Sequence, residues 1–182
     1  MVELQDIAIK IGLAALLAGL IGAEREWVGK WAGLRTHMLI AVGSALLTHV
    51  SVLIGETYAQ GSNAWDPGRI AAQIVSGIGF LGAGTIIQSR GTVHGLTTAA
   101  GLWLASALGI AVGAGFYGEA VVTTVALLVI LIGMVPIERH FLNPDRRRRS
   151  EDLPRETDAG KGEEAEEKDA GRLAREEAAR KS

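Results

Sequence analysis

The sequence has no cysteine, which excludes disulfide bonds and thiolate metal sites within this chain. Charge is also scarce over most of its length: residues 1–138 contain 6 Lys or Arg and 8 Asp or Glu, whereas residues 139–182 contain 12 of each kind. The first part is too apolar for an ordinary soluble domain, and the second has almost nothing to bury. The division predicts a transmembrane domain at 1–138 and a charged, largely disordered tail at 139–182.

Two further absences narrow the class of protein. Residues 1–6 contain no Lys or Arg, so they lack the basic region of a cleavable signal peptide, and the first apolar segment is expected to be retained. The net charge of −2 gives no indication of nucleic-acid binding. Ser and Thr are present in the apolar part, but no nucleophile–base pair is placed by the sequence, so no catalytic residue is assigned and an enzyme is not expected.

What the first part does contain is long apolar segments, each near the roughly 20 residues that a spanning helix needs. None shows the alternation of a barrel strand, and only helices or closed barrels satisfy backbone groups in lipid. The sequence therefore predicts an all-α, polytopic bundle of about five transmembrane helices, at about 6–23, 36–54, 67–88, 96–116 and 118–136.

Basic residues predict the orientation of these helices. The first connection carries Arg25, Lys30 and Arg35, and four consecutive arginines at 146–149 follow the last helix, whereas the connection 55–66 has no Lys or Arg. Because basic loops stay in the cytoplasm, we expect a cytoplasmic C-terminus and, with five spans, an N-terminus on the outside. The fourth connection is expected to be a tight turn at Tyr117 and Gly118.

Glycine is concentrated in the segment 73–88. Gly77, Gly79 and Gly82 match the dinucleotide fingerprint G-x-G-x-x-G, but that motif requires a soluble strand–turn–helix unit, which an apolar segment does not provide, and no cofactor is expected. Small residues instead let membrane helices approach closely. We expect the third and fourth helices to be in closest contact, the fifth to be peripheral, and the following glycines to serve in helix packing: Gly77, Gly79, Gly82, Gly84, Gly101, Gly109 and Gly113.

Ionisable and polar residues near a membrane core are costly and indicate function. We expect an inner polar cluster of Glu24, Arg25, Glu26, Arg35, Thr97 and Thr98, and an outer cluster of Asp66, Arg69 and Gln73. Each has a simpler alternative. Asp66 followed by proline is a good helix N-cap, Thr97 and Thr98 suit the same role, and Glu24 to Glu26 suit a membrane interface. The histidines at 37, 94 and 140 are scattered, so no metal site is assigned.

Several ordered motifs resemble the MgtC/SapB family of bacterial membrane proteins. The resemblance covers roughly residues 10–135 and is carried by GLIGAERE at 19–26, GLRTH at 33–37, DPGR at 66–69, GIGFLGAGTI at 77–86 and VHGLTTAA at 93–100 with Trp103.

The resemblance implies a protein of the bacterial cytoplasmic (inner) membrane that supports adaptation to low magnesium. Family members are linked to modulation of the F-type ATP synthase and to phosphate balance, and direct magnesium transport is not an accepted activity. This chain looks like a short form, because only the charged tail stands where longer members have a folded cytoplasmic domain.

Two functional hypotheses follow. The first is a non-enzymatic membrane protein that acts on another membrane complex, an ATP synthase-like complex by the family resemblance, with the small-residue faces suited to association with a partner or in a homo-oligomer. The second is a small-ion transporter or channel, with charged groups at both mouths and a third helix that breaks at its glycines. No acidic residue lies at mid-membrane, which speaks against the second.

Overall fold

The computed structural model describes residues 2–58, 66, 68–89 and 92–137, apart from the side chains at 2, 3, 135 and 137. It confirms the predicted all-α membrane bundle and adds one short hairpin that the sequence did not indicate. The strands pair antiparallel, with Gln88 opposite Val93. The elements in chain order are α1 (Val2–Trp27), α2 (Leu34–Tyr58), α3 (Gly68–Gly84), β1 (Ile87–Ser89), β2 (Thr92–His94), α4 (Leu96–Gly113) and α5 (Tyr117–Ile137).

Four of the described helices, α1, α2, α4 and α5, are long and apolar enough to cross a membrane. The predicted third span is shorter than expected: α3 has 17 residues and ends at Gly84 instead of continuing to 88. At 1.5 Å per residue it covers about 25 Å. Beyond it, the hydroxyl of Thr85 donates to the carbonyl of Gly82 at 2.8 Å, and the two strands of the hairpin follow at 87–89 and 92–94. The orientation of the termini stays a prediction.

Two helix ends are closed by glycines with positive φ. Gly29 (φ 71°) follows α1, and the amides of Gly29 and Lys30 bond to the carbonyls of Glu26 and Arg25 at 3.0 and 2.9 Å. This is the Schellman arrangement, which glycine adopts without a steric penalty.

Gly115 (φ 91°) closes α4 in the same way, with the amide of Phe116 bonded to the carbonyl of Ala111 at 2.8 Å. The expected turn at Tyr117 and Gly118 is therefore wrong by about two residues. Tyr117 already begins α5 and Gly118 lies inside it, because the left-handed residue that reverses the chain is Gly115.

Helix α2 lies at the centre of the bundle and has its largest contacts with α1 and α4. The expectation that α3 and α4 are in closest contact is wrong, because the glycine face of α4 is turned to α2 and not to α3. The buried apolar cluster of the shared core consists of alanines and branched aliphatic residues: Ala14, Leu17, Ala18, Ile21, Ala41, Ala45, Ala105, Leu108, Val112 and Ala120.

Helix α5 is peripheral, as predicted from the scarcity of small residues at 121–132. Only 11% of its spanning window is buried, against 33%, 39% and 44% for α1, α2 and α4. It reaches the core through Ala120 and Thr124, whose hydroxyl bonds to the Ala120 carbonyl at 2.8 Å. Residues 1–133 form one compact unit. The expected domain boundary at 138 and the charged tail 139–182 lie outside the described residues.

Candidate functional site

The α2–α4 seam, where Gly101, Gly109 and Gly113 of α4 face α2, is the closest helix contact described here. A Cβ built on Gly109 would overlap the Ala41 carbonyl oxygen and lie 2.7 Å from the Ser44 Cβ. One turn on, a Cβ on Gly113 would lie 2.9 Å from the Thr48 Cβ. The packing role expected for these α4 glycines therefore matches the geometry, with α2 as the neighbour.

The glycines of α3 behave differently. A Cβ on Gly82 would make an ordinary contact with Ala99 at 3.7 Å, whereas one on Gly77, Gly79 or Gly84 would meet no atom within 4 Å. In the described part of the chain these three glycines make no such packing contact. At 100° per residue, the face of α3 that packs on the bundle is centred on Ile78 and Gly82, and the other three glycines project away from it.

The inner polar cluster is assembled only in part. The Arg25 guanidinium donates to both carboxylate oxygens of Glu24, through Nε to Oε2 and through Nη2 to Oε1 at 2.7 Å. Arg25 is only 4% exposed. The ion pair compensates both charges, and removal of one partner would leave the other as a buried, uncompensated charge. Arg35 and Thr97 are exposed, whereas Thr98 is buried on α4.

Glu26 has a structural role at the start of α2. Its Oε2 accepts a hydrogen bond from the backbone amide of Leu34 at 2.9 Å, across eight residues. A carboxylate at this place satisfies a free amide and favours the positive end of the helix dipole. Gly33 allows this contact, since a Cβ there would lie 2.6 Å from the same Glu26 oxygen.

His37 is the buried polar residue next to this cluster, and the sequence indicated it only as one scattered histidine. It is fully buried, and its Nδ1 is 2.9 Å from the carbonyl oxygen of Gly33. Because a carbonyl only accepts, Nδ1 donates in this hydrogen bond. Among the described residues Nε2 has no hydrogen-bond partner, and it lies 3.2 Å from a Cβ built on Gly101, in the α2–α4 seam.

The seam contains a second unpartnered polar atom. Thr48 Oγ1 is buried without a hydrogen-bond partner, and Thr48 follows His37 by eleven residues on the α2 face turned to α4. The i, i+7, i+11 spacing of His37, Ser44 and Thr48 is visible in the sequence and marks one helix face. Among the residues that the structure describes, no three His, Asp or Glu side chains are grouped to hold a metal ion.

The outer residues are not brought together as a cluster. Asp66 caps α3, its Oδ1 accepting from the Gly68 amide at 2.8 Å, which confirms the capping alternative. Arg69 and Gln73 are exposed on α3, and no ion pair joins Arg69 to Asp66 in the described part of the chain.

A cluster of three ionisable residues that sequence reasoning missed joins α1 to α2. The Lys10 ammonium lies 2.7 Å from Asp6 Oδ2 and 3.1 Å from His49 Nδ1, which accepts because an ammonium only donates. His49 is 6% exposed, and the Lys10 side chain is 12% exposed. The i, i+4 spacing of Asp6 and Lys10 is visible in the sequence, but the contact with His49, 39 residues from Lys10, needs the helix packing.

Comparison with known proteins shows what the chain is similar to. Residues 11–140 match the model of the MgtC family. The chain is 50% identical over 117 residues to Protein MgtC of Salmonella typhimurium, covering 64% of this chain and 47% of that one. It is 43% identical over 143 residues to Protein SapB of Bacillus subtilis, covering 78% and 61%.

A third relative carries a functional name. The chain is 43% identical over 127 residues to the putative magnesium transporter YhiD of Escherichia coli, covering 69% of this chain and 59% of that one. The chain thus spans about half to three fifths of the length of these relatives. No solved structure matches it.

Proposed function

Since this chain belongs to the MgtC family, we propose that it is a non-enzymatic membrane protein that supports adaptation to low magnesium by modulating another membrane complex. That it is a multi-pass membrane protein of this family follows from the family match and the four apolar helices. The modulating role, the cytoplasmic (inner) membrane and the cytoplasmic C-terminus are parts of the proposal.

The observation that carries the proposal is the α3 outward face, formed by Arg69, Gln73, Ser76, Gly77, Phe80 and Gly84, all of them exposed. The exposed large apolar residues of α5 are of another kind, namely Val121, Val122, Val125, Val129, Ile130, Ile132 and Met134. Valine and isoleucine suit lipid, whereas arginine, glutamine and serine in a membrane layer are costly without a protein neighbour. The α3 outward face therefore favours a function in which this face contacts another membrane protein.

The family resemblance suggests the modulated complex, an F-type ATP synthase. The test is reconstitution of that enzyme in liposomes with and without this chain, with the rate of ATP-driven proton pumping as the measurement. We expect the wild-type chain to change the rate and Gly77→Leu to lose most of that change, because leucine keeps a partner helix from close approach.

The matched control is Gly133→Leu. Gly133 lies in α5 and, like Gly77, has no atom within 4 Å of a built Cβ. It should keep the full effect on proton pumping, because a leucine among lipid-facing valines and isoleucines disturbs no protein contact. A pumping rate that is the same with and without the wild-type chain would remove the ATP synthase from the proposal.

Small-ion transport is the second candidate, and the Asp6–Lys10–His49 cluster favours it. Ionisable side chains within membrane helices often mark ion or proton pathways, and this cluster joins two spanning helices. The name of the Escherichia coli relative points in the same direction. The close α2–α4 seam argues against a path between those two helices, since Gly109 contacts the α2 backbone.

Magnesium flux into liposomes that contain the purified chain and a magnesium-sensitive dye tests this candidate. If the chain transports, Lys10→Gln should slow flux by about tenfold, which corresponds to about 1.4 kcal/mol of barrier. The control is Lys30→Gln, an exposed lysine in the α1–α2 connection, which should leave the flux unchanged. Wild-type liposomes that admit no more magnesium than empty ones would exclude magnesium as the transported ion.

A further inference from the structure

Exposed residues of α3 and its cap residue Asp66 form one line along which a second helix can pack. Six exposed residues follow one another at steps of three, four, three, four and three, which is the a/d pattern of the heptad repeat. This heptad line contains Asp66, Arg69, Gln73, Ser76, Phe80 and Ala83. The lipid-facing residues of α5 include the same spacing, and what distinguishes the heptad line is that four of its six residues are polar.

We propose that the heptad line is the contact through which two copies of this chain form a parallel dimer in the membrane. The proposal rests on the proposed function, which takes the α3 outward face as a protein-binding face, and it names the first occupant of that face. A twofold axis normal to the membrane brings identical faces of two parallel α3 helices together.

Charge complementarity selects a second copy over an unrelated helix. Asp66 and Arg69 are one turn apart and exposed, and within the described part of the chain they form no ion pair with each other. Oδ1 of Asp66 accepts the cap hydrogen bond from Gly68, which leaves Oδ2 for another donor. In a parallel dimer, Asp66 of each copy lies at the same end of the contact as Arg69 of the other copy. Two symmetry-related charge pairs therefore form.

The remaining residues of the heptad line suit the same geometry. Gln73 lies at a heptad position, where two facing amides satisfy each other and fix the register. Ser76 and Ala83 are small, so the backbones approach closely between Gln73 and Phe80. Gly77 and Gly84 are one heptad apart beside the line, and in the described part of the chain a Cβ built on either meets no atom within 4 Å. A second copy gives each of these positions a neighbour.

The absence of cysteine makes the dimer directly testable by disulfide crosslinking of single-cysteine variants in native membranes. Ser76→Cys places a thiol on the heptad line. Leu81→Cys places one at another exposed position of the same helix, five residues further on and therefore about 140° around from Ser76. A disulfide requires Cβ atoms about 3.5–4.5 Å apart. We expect oxidation to give a covalent dimer with Ser76→Cys and little with Leu81→Cys.

A charge variant tests the pairing without disturbing the fold. Asp66→Asn keeps a side chain that caps α3 but removes the negative charge, since asparagine and aspartate are equally good N-caps. In the Ser76→Cys background it should lower the yield of crosslinked dimer about tenfold, because both symmetry-related charge pairs are lost and each exposed pair is worth about threefold.

The outcomes separate the dimer from the proposed function. Equal crosslinking at 76 and 81, or none at either, overturns the dimer. If the thiol at 76 crosslinks to another membrane protein and never to itself, the dimer is wrong while the proposed protein-binding face stands. If the thiol at 76 reacts with a lipid-soluble maleimide as fast as Val122→Cys on α5, the face is covered by lipid and both proposals are wrong.

Discussion

Replacing Gly109 by leucine is expected to prevent accumulation of the folded protein in the membrane. A Cβ at this position already overlaps the carbonyl oxygen of Ala41 and lies 2.7 Å from the Ser44 Cβ. The first of these is backbone in the middle of α2, so no rotamer change relieves the contact and the helices must separate. Overpacking of this kind costs roughly 3 kcal/mol or more, because a further three carbons must enter the α2–α4 seam.

The measurement is the amount of protein in the membrane fraction together with its thermal unfolding midpoint in detergent. Gly79→Leu is the matched control, because Gly79 is also a helical glycine but has no atom within 4 Å of its built Cβ. It should accumulate normally, and leucine adds helix propensity of about 1 kcal/mol at that site. If Gly109→Leu and Gly79→Leu lowered the amount of protein and the unfolding midpoint equally, the α2–α4 seam would not have the stabilising role assigned to it.

Gly95→Ala is expected to have the second largest effect. Gly95 stands between β2 and α4 with φ at 89°, and a Cβ there would overlap the Thr85 carbonyl oxygen and lie 2.8 Å from the Thr85 carbonyl carbon. The substitution therefore combines an unfavourable backbone conformation, worth about 1–2 kcal/mol, with a clash against fixed backbone. The hairpin must move away from α4 or the helix must begin later.

Gly115→Ala separates the two contributions. Gly115 has nearly the same φ, 91°, but its built Cβ has no atom within 4 Å. We expect Gly115→Ala to lower the free energy of unfolding by only the conformational amount, about 1 kcal/mol, and Gly95→Ala by at least about twice that. Thermal unfolding of both variants beside the wild type checks this, and an equal shift in the two would refute the contact with Thr85.

The sequence predicted helix positions well and helix partners poorly. Long apolar segments indicate spans because lipid leaves the backbone few alternatives, and four of the described helices bear this out. Glycine spacing alone does not tell which neighbour a helix has. Gly77, Gly79 and Gly84 looked like the packing core, yet the contacts described here use Gly109 and Gly113.

The candidate polar groups show the same division. Adjacent residues such as Glu24 and Arg25 were predicted as a cluster, and their ion pair depends on local geometry. Asp66 was predicted as a cap, which requires only the two following residues. Lys10 and His49 are separated by 39 residues, and their contact arises from the crossing of α1 and α2, which no local pattern encodes.

By itself the sequence determined the class of this protein, an all-α membrane bundle of the MgtC family. Hydropathy and ordered motifs are local features of the sequence and need no tertiary contacts to be recognised. Only the tertiary structure decided which faces are inside. In it, the glycines of α4 face α2, and His37 is buried in the α2–α4 seam. Asp6 and Lys10 lie next to His49, and the polar α3 outward face is not covered by the other described residues. The physical reason is that helix packing depends on how each helix is rotated about its own axis. A helix with small residues on several faces can pack with similar energy in several rotations, and the neighbouring helices select one of them.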